Sequence, residues 1–106
     1  MVNQPATLEL ILSSLNELMP KVWNRNKPFP QNAVHISRPG KWGNPFKAGV
    51  DGPRSVVIQM YKDYLYTSGL IKDIHELQGC DLVCFCKPLA CHGDVLIELA
   101  NPFFDV

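Results

Sequence analysis

The chain has 106 residues, 46% of them hydrophobic and 19% charged, and a formal net charge of zero. That size accommodates one domain, expected over residues 1–106, with enough buried surface for a real core. The composition excludes wholesale disorder, no apolar run is long enough to cross a bilayer, and neutrality argues against nucleic-acid binding driven by bulk charge.

Residues 1–10, MVNQPATLEL, lack a basic n-region and a small-residue cleavage site, so a cytoplasmic location is expected. Leu8, Ile11, Leu12, Leu15 and Leu18 recur at helical spacing, which predicts an amphipathic helix over 6–19 stopped by Pro20. Residues 21–32 carry no period and several Asn and Pro, and read as a loop. Residues 33–38, AVHISR, alternate as a strand does. Residues 39–53, PGKWGNPFKAGVDGP, hold four glycines and three prolines and read as a long loop, ordered by Trp42 and Phe46.

Pro53 opens a helix reaching about Thr67, with Val57, Tyr61, Tyr64 and Leu65 on one face. Gly69 breaks it, and Leu70, Ile74 and Leu77 mark a short second helix ended by Gly79. Residues 81–86, DLVCFC, are apolar on both faces, as in a central parallel strand. Residues 92–101 read as a last helix with Val95, Leu96 and Leu99 inward. Strands separated by helices imply parallel pairing with right-handed crossovers, and hence a small α/β domain of two or three layers with a short, mostly parallel sheet. The loop after Arg38 and the turn 87–91 then leave the sheet at the same edge, where open α/β sheets bind ligands.

Charge is unevenly laid out. Residues 21–54 carry seven basic side chains against Asp51 alone. A basic, proline-rich segment in a neutral chain suits a small anionic ligand or an acidic partner surface, and equally a solvated loop.

Cys80, Cys84, Cys86 and Cys91 fall within twelve residues, with His92 next. A disulfide is disfavoured where thiols stay reduced. The C-x-C-x4-C-H spacing is not the C-x2-C knuckle of common zinc sites. Cβ atoms two residues apart on a strand sit about 6.6 Å apart. Tetrahedral zinc brings sulfurs to about 3.8 Å. No metal or other cofactor is therefore expected, although a small zinc module remains an alternative. The favoured reading is a strand–loop–helix site. Cys91 begins a helix, where thiol pKa values fall and free amides attract anions. His92 is positioned to shuttle protons, Gly93 to admit a ligand to the backbone, and Asp94 to act beside them or merely to cap the helix.

The stretch HISRPGKWGNPF at 35–46, then Pro53-Arg54, then LVCFCKPLACHGDVLIELAN at 82–101, resembles a family of small phage and bacterial proteins. That family is catalogued only as a domain of unknown function, with a W-G-N-P-F loop and a C-W-C-x-P-x-x-C-H-G-D signature. The resemblance covers about residues 33–101 and implies a small Rossmann-like domain, often phage-encoded, with no settled activity. Phe85 stands where the signature has tryptophan, and Cys80 and residues 6–19 lie outside it.

These readings give candidate roles. Cys91, His92 and Asp94 form the chemical side. Arg38, Lys41 and Lys87 are candidates to hold a phosphate, Trp42 or Phe46 to stack on a planar ring, and Asn44 to bond a base edge. Gly43 and Gly93 complete the ligand-binding set. The expected function is the handling of a nucleotide or nucleoside, with a transferase or glycosyl-bond hydrolase as the reaction class. The alternative is an accessory protein that binds and blocks a host or defence protein through residues 6–47.

Overall fold

The computed structural model describes residues 20–102. The helix expected at 6–19 lies outside the described residues. Three short parallel strands form one sheet: β1 (Val22–Asn24), β2 (Val34–His35) and β3 (Leu82–Cys84). Their order is β1-β3-β2, with β3 in the centre. Val22 and Val34 both lie in register with Leu82, and Trp23 and His35 with Val83. All three β3 residues are buried, which explains why the run is apolar on both faces.

The parallel pairing of the two expected strands is present, and both are shorter than their sequence patterns. Strand β1 is an addition: it arises inside the stretch read as a loop. Only three residues pair there, too few for an alternation to show, and Asn and Pro follow at once. The pairing continues one bond past the strand ends, from Arg25 N to the Cys84 carbonyl (2.8 Å) and from Ile36 N to the Val83 carbonyl (3.0 Å).

Helix α1 (Arg54–Thr67) starts after Pro53 and buries Val57, Tyr61 and Leu65 at i, i+4 and i+8. Gly69, at φ 82°, turns the chain as a side-chain-bearing residue rarely does. The next segment, Leu70–Leu77, is a 3-10 helix rather than the expected α-helix. Helix α2 (His92–Ala100) buries His92, Gly93, Leu96, Ile97 and Ala100, and packs on β1 and β3 with α1 and the 3-10 helix against it. Its inward face centres on Leu96, Ile97 and Ala100, whereas Val95 and Leu99 sit half-buried at its margins. Asn101 closes the unit: its amide donates to the Ile97 carbonyl (2.9 Å), and its oxygen accepts the Gly79 N–H (2.8 Å). Ile36, Trp42, Tyr61, Leu65, Leu82 and Leu96 form the core. No helix among the described residues is long and apolar enough to cross a membrane.

Candidate functional site

Strands β2 and β3 run in the same direction, so the chain leaves both at one edge. A pocket of about 430 Å³ opens there. Its wall takes Ser37 and Arg38 from the exit of β2, and Cys84, Phe85 and Cys86 from the exit of β3. The loop 44–50 contributes Asn44, Phe46 and Lys47, the start of α1 contributes Arg54, and the start of α2 contributes Cys91 and His92.

Of the residues singled out from sequence, Arg38, Asn44, Phe46, Cys91 and His92 meet in this wall. Lys41, Trp42, Gly43, Lys87, Gly93 and Asp94 are not part of it, and each has a visible occupation elsewhere. Lys41 reaches Glu76 (3.0 Å) and Asp73 (3.1 Å) on the 3-10 helix, and those carboxylates raise its pKa. Trp42 is 4% exposed, so it offers no free face for stacking, and its carbonyl accepts the Tyr61 hydroxyl at 2.8 Å. A Cβ on Gly43 would stand 2.8 Å from Arg38 Cα. One on Gly93 would stand 2.8 Å from Ile36 Cδ1 and 2.9 Å from Val22 Cγ2. Both glycines therefore serve close packing. Lys87 pairs with Asp94 at 2.6 Å, and the other Asp94 oxygen accepts the Cys91 N–H at 3.0 Å in a capping box.

Arg38 and Asn44 line the pocket but are partly committed to the loop. The Arg38 guanidinium donates to the Asn44 carbonyl at 2.6 Å. The Asn44 side chain donates to the Val57 carbonyl (3.3 Å) and accepts the Phe46 N–H (2.9 Å), so this buried amide organises the loop. Asn24 at the end of β1 donates to the Lys87 carbonyl, tying the third strand to the turn after β3.

The cysteines are closer than strand geometry predicts. Strand β3 ends at Cys84, so Cys86 sits beyond the pleat and the strand spacing does not apply to the pair. The sulfurs of Cys84, Cys86 and Cys91 all lie within 4.8 Å of one another. Cys84 Sγ and Cys91 Sγ are 2.8 Å apart and share a hydrogen. The Cys91 hydrogen bond, opposed by burial and helped by the amides of Cys86 and Lys87, pushes the Cys84 thiol down to about 6. Cys91 moves strongly upward, through the same contact with Cys84 and through burial. The helix-start amide expected to acidify Cys91 is present, from Gly93 N at 3.3 Å. The Cys84 contact and burial outweigh it, so the helix start does not acidify Cys91.

His92 is buried, which lowers its pKa and favours the neutral ring. Its Nε2 lies 2.9 Å from the Ile36 carbonyl, an acceptor, so Nε2 carries the hydrogen. Nδ1 faces Cys91 Sγ at 3.6 Å.

Sequence reasoning did not single out Ser37, Lys47 or Arg54 as individual site residues, and placed Cys84 and Cys86 in a site only under the zinc alternative. Lys47 and Arg54 had a signal in the excess of basic charge over 21–54. Cys86 had one in its C-x-C spacing. Ser37 had none.

A family described as a domain of unknown function, DUF4326, matches residues 21–102. An uncharacterised 12.4 kDa protein from the nrdA-td intergenic region of Enterobacteria phage T4 is 39% identical over 77 residues, covering 67% of this chain and 69% of the phage protein. The uncharacterised protein R718 of Acanthamoeba polyphaga mimivirus is 36% identical over 67 residues, covering 56% of this chain and 52% of that one. The chain thus spans about half the length of the mimivirus protein. No solved structure matches the chain.

Proposed function

The chain belongs to the DUF4326 family, and we propose that it handles a nucleotide, or a nucleoside carrying phosphate, bound at the carboxyl edge of its parallel sheet. The composition of the pocket wall carries this reading. Arg38, Lys47 and Arg54 line it, and among the described residues no carboxylate does. Concentrated positive charge in a cleft of a neutral chain draws an anion. The starts of α1 and α2 border the same space, and helix starts favour negative charge. Ser37 Oγ, a buried hydroxyl with no partner among the described residues, adds a polar group at the wall.

A base or sugar has apolar surface to rest on. Phe46, Val50 and Phe85 line the pocket, and Val50 and Phe85 are largely exposed. A few polar groups on a mostly apolar wall is the usual make-up of a small-molecule site. The cysteines and neutral His92 are the reactive groups of the same wall, and transfer or hydrolysis at a glycosyl bond is the reaction class attached to this reading.

The test is a titration of the isotope-labelled chain with nucleoside mono-, di- and triphosphates and with inorganic phosphate, followed by amide chemical shifts. The expected result is a saturable shift at residues 37–38, 46–47, 54–58 and 91–93. Shifts confined to other surfaces, or none with any of these ligands, would overturn it and favour contact with a protein partner.

A further inference from the structure

We propose that Cys84, Cys86 and Cys91 form a three-thiolate site for one zinc-like cation, whose fourth coordination position faces the pocket. This goes beyond the nucleotide reading and stands whether or not a nucleotide binds. The three sulfurs come from two elements, the exit of β3 and the start of α2, and converge within 4.8 Å of one another. Thiolates are the ligands that select zinc and other thiophilic ions.

The surroundings suit thiolates. Gly93 N donates to Cys91 Sγ at 3.3 Å. Such supporting hydrogen bonds orient metal ligands and moderate their charge. Three thiolates and a divalent cation leave one net negative charge, and Arg38, Lys47 and Arg54 line the same pocket.

The sulfurs must part slightly to accept the ion. Cys84 and Cys91 stand 2.8 Å apart. A tetrahedral ion with Zn–S bonds near 2.3 Å holds its sulfurs about 3.8 Å apart. The opening is about 1 Å, within reach of small side-chain rotations at the end of a strand and the start of a helix. The ion displaces the thiol protons, which pass to solvent, so binding releases protons.

His92 does not complete the set as the chain stands: the ligand atoms that lie within 4.8 Å of one another are the three sulfurs, and His92 is outside that group. Its Nε2 donates to the Ile36 carbonyl, and its Nδ1 stands 3.6 Å from Cys91 Sγ. All three cysteines line the pocket, so the remaining position of the ion opens onto it. An open position is the mark of a chemically active zinc rather than a structural one.

The experiment uses the full chain, reduced and stripped with a chelator, then titrated with Zn²⁺ and separately with Co²⁺. One equivalent should bind with proton release, and Co²⁺ should give thiolate-to-metal charge-transfer absorption. Cys86→Ser is the decisive variant, because Cys86 is only half-buried, at the margin of the core, and serine keeps its size. It should weaken zinc by more than the roughly 10–100-fold that loss of a supporting partner costs. Cys80→Ser, whose sulfur contacts the Glu76 and Gln78 carbonyls outside the cluster, should bind like the parent. Adding a monodentate ligand such as imidazole should alter the Co²⁺ spectrum of the parent without removing the ion, because the fourth position is exchangeable. Absence of charge-transfer absorption, or a Cys86→Ser chain that binds zinc like the parent while retaining its circular dichroism, would overturn the site. Nucleotide binding is read separately from amide shifts, so failure of either reading is distinguishable.

Discussion

His92 Nε2 lies 2.9 Å from the carbonyl oxygen of Ile36, joining the start of the last helix to the residue that follows β2. This one bond brings the second sequence motif onto the first. The ring is buried, and Tyr61 packs edge-on to it with centroids 4.8 Å apart. His92 thus acts as a structural strut at the back of the pocket as well as one of its lining groups.

His92→Ala should therefore lose stability even without any ligand. It leaves the Ile36 carbonyl unsatisfied and a cavity beside Tyr61. The combined cost should be about 2–4 kcal/mol, which a urea unfolding curve would read as a lower midpoint at unchanged slope. A change below about 0.5 kcal/mol, typical of surface sites, would remove the strut assignment.

Two glycines test the packing reading. Gly93→Ala places a methyl against Ile36 and Val22, and overpacking of this kind costs about 1–3 kcal/mol. The gain in helix propensity, about 1 kcal/mol at most, does not offset that. Gly43→Ala meets the Arg38 backbone, which cannot yield as a side-chain tip can, so it should be the more damaging of the two. Thermal unfolding of both variants checks the order. A Gly93→Ala chain that is more stable than the parent would show that the helix start has slack.

Much of this arrangement was legible in the sequence, because strong patterns carried it. The apolar run at 82–84 and the helical spacing of Val57, Tyr61 and Leu65 reflect burial, and burial leaves a period. Strand β1 left none, since three half-buried residues cannot display an alternation. The convergence of Arg38 with Cys91 and His92 followed from topology: parallel strands share an exit edge. The fine roles did not follow. Trp42 and Asn44 are residue types equally suited to a ligand and to a core, and only their partners, Tyr61 for one and Val57 and Phe46 for the other, decide. The cysteine cluster was obscured by applying strand spacing two residues beyond where the strand ends.

Asp94 separates capping from chemistry. Its carboxylate closes the capping box with Cys91 and pairs with Lys87, and it lies outside the pocket wall. Asp94→Ala should cost about 1 kcal/mol, within the usual range for a lost helix cap, while any ligand affinity measured at the pocket stays the same. Calorimetric unfolding and a parallel binding titration give the two numbers. A binding loss with unchanged stability would instead place Asp94 in contact with the ligand.

The basic residues give the sharpest contrast. Arg54 lines the pocket at the first turn of α1 and donates to the Ala90 carbonyl at 3.2 Å, so its guanidinium keeps further donors. Lys41, from the same basic segment, points to Glu76 and Asp73. Arg54→Ala should weaken a phosphate-bearing ligand by about 1.5–3 kcal/mol, the range for a hydrogen bond to a charged group. That is a roughly 10–150-fold rise in Kd, since each 1.4 kcal/mol is tenfold. Lys41→Ala should leave Kd unchanged, because its charge is already balanced by two carboxylates away from the wall. Arg38→Ala falls between these cases: it removes a pocket charge and also releases the Asn44 carbonyl, so affinity and loop order should fall together. Isothermal titration at two salt concentrations distinguishes the three, since a contact with charged phosphate weakens with ionic strength and a loop contact does not. Equal losses for Lys41→Ala and Arg54→Ala would mean that the ligand senses only the field of the whole basic segment, and the pocket would no longer be its site.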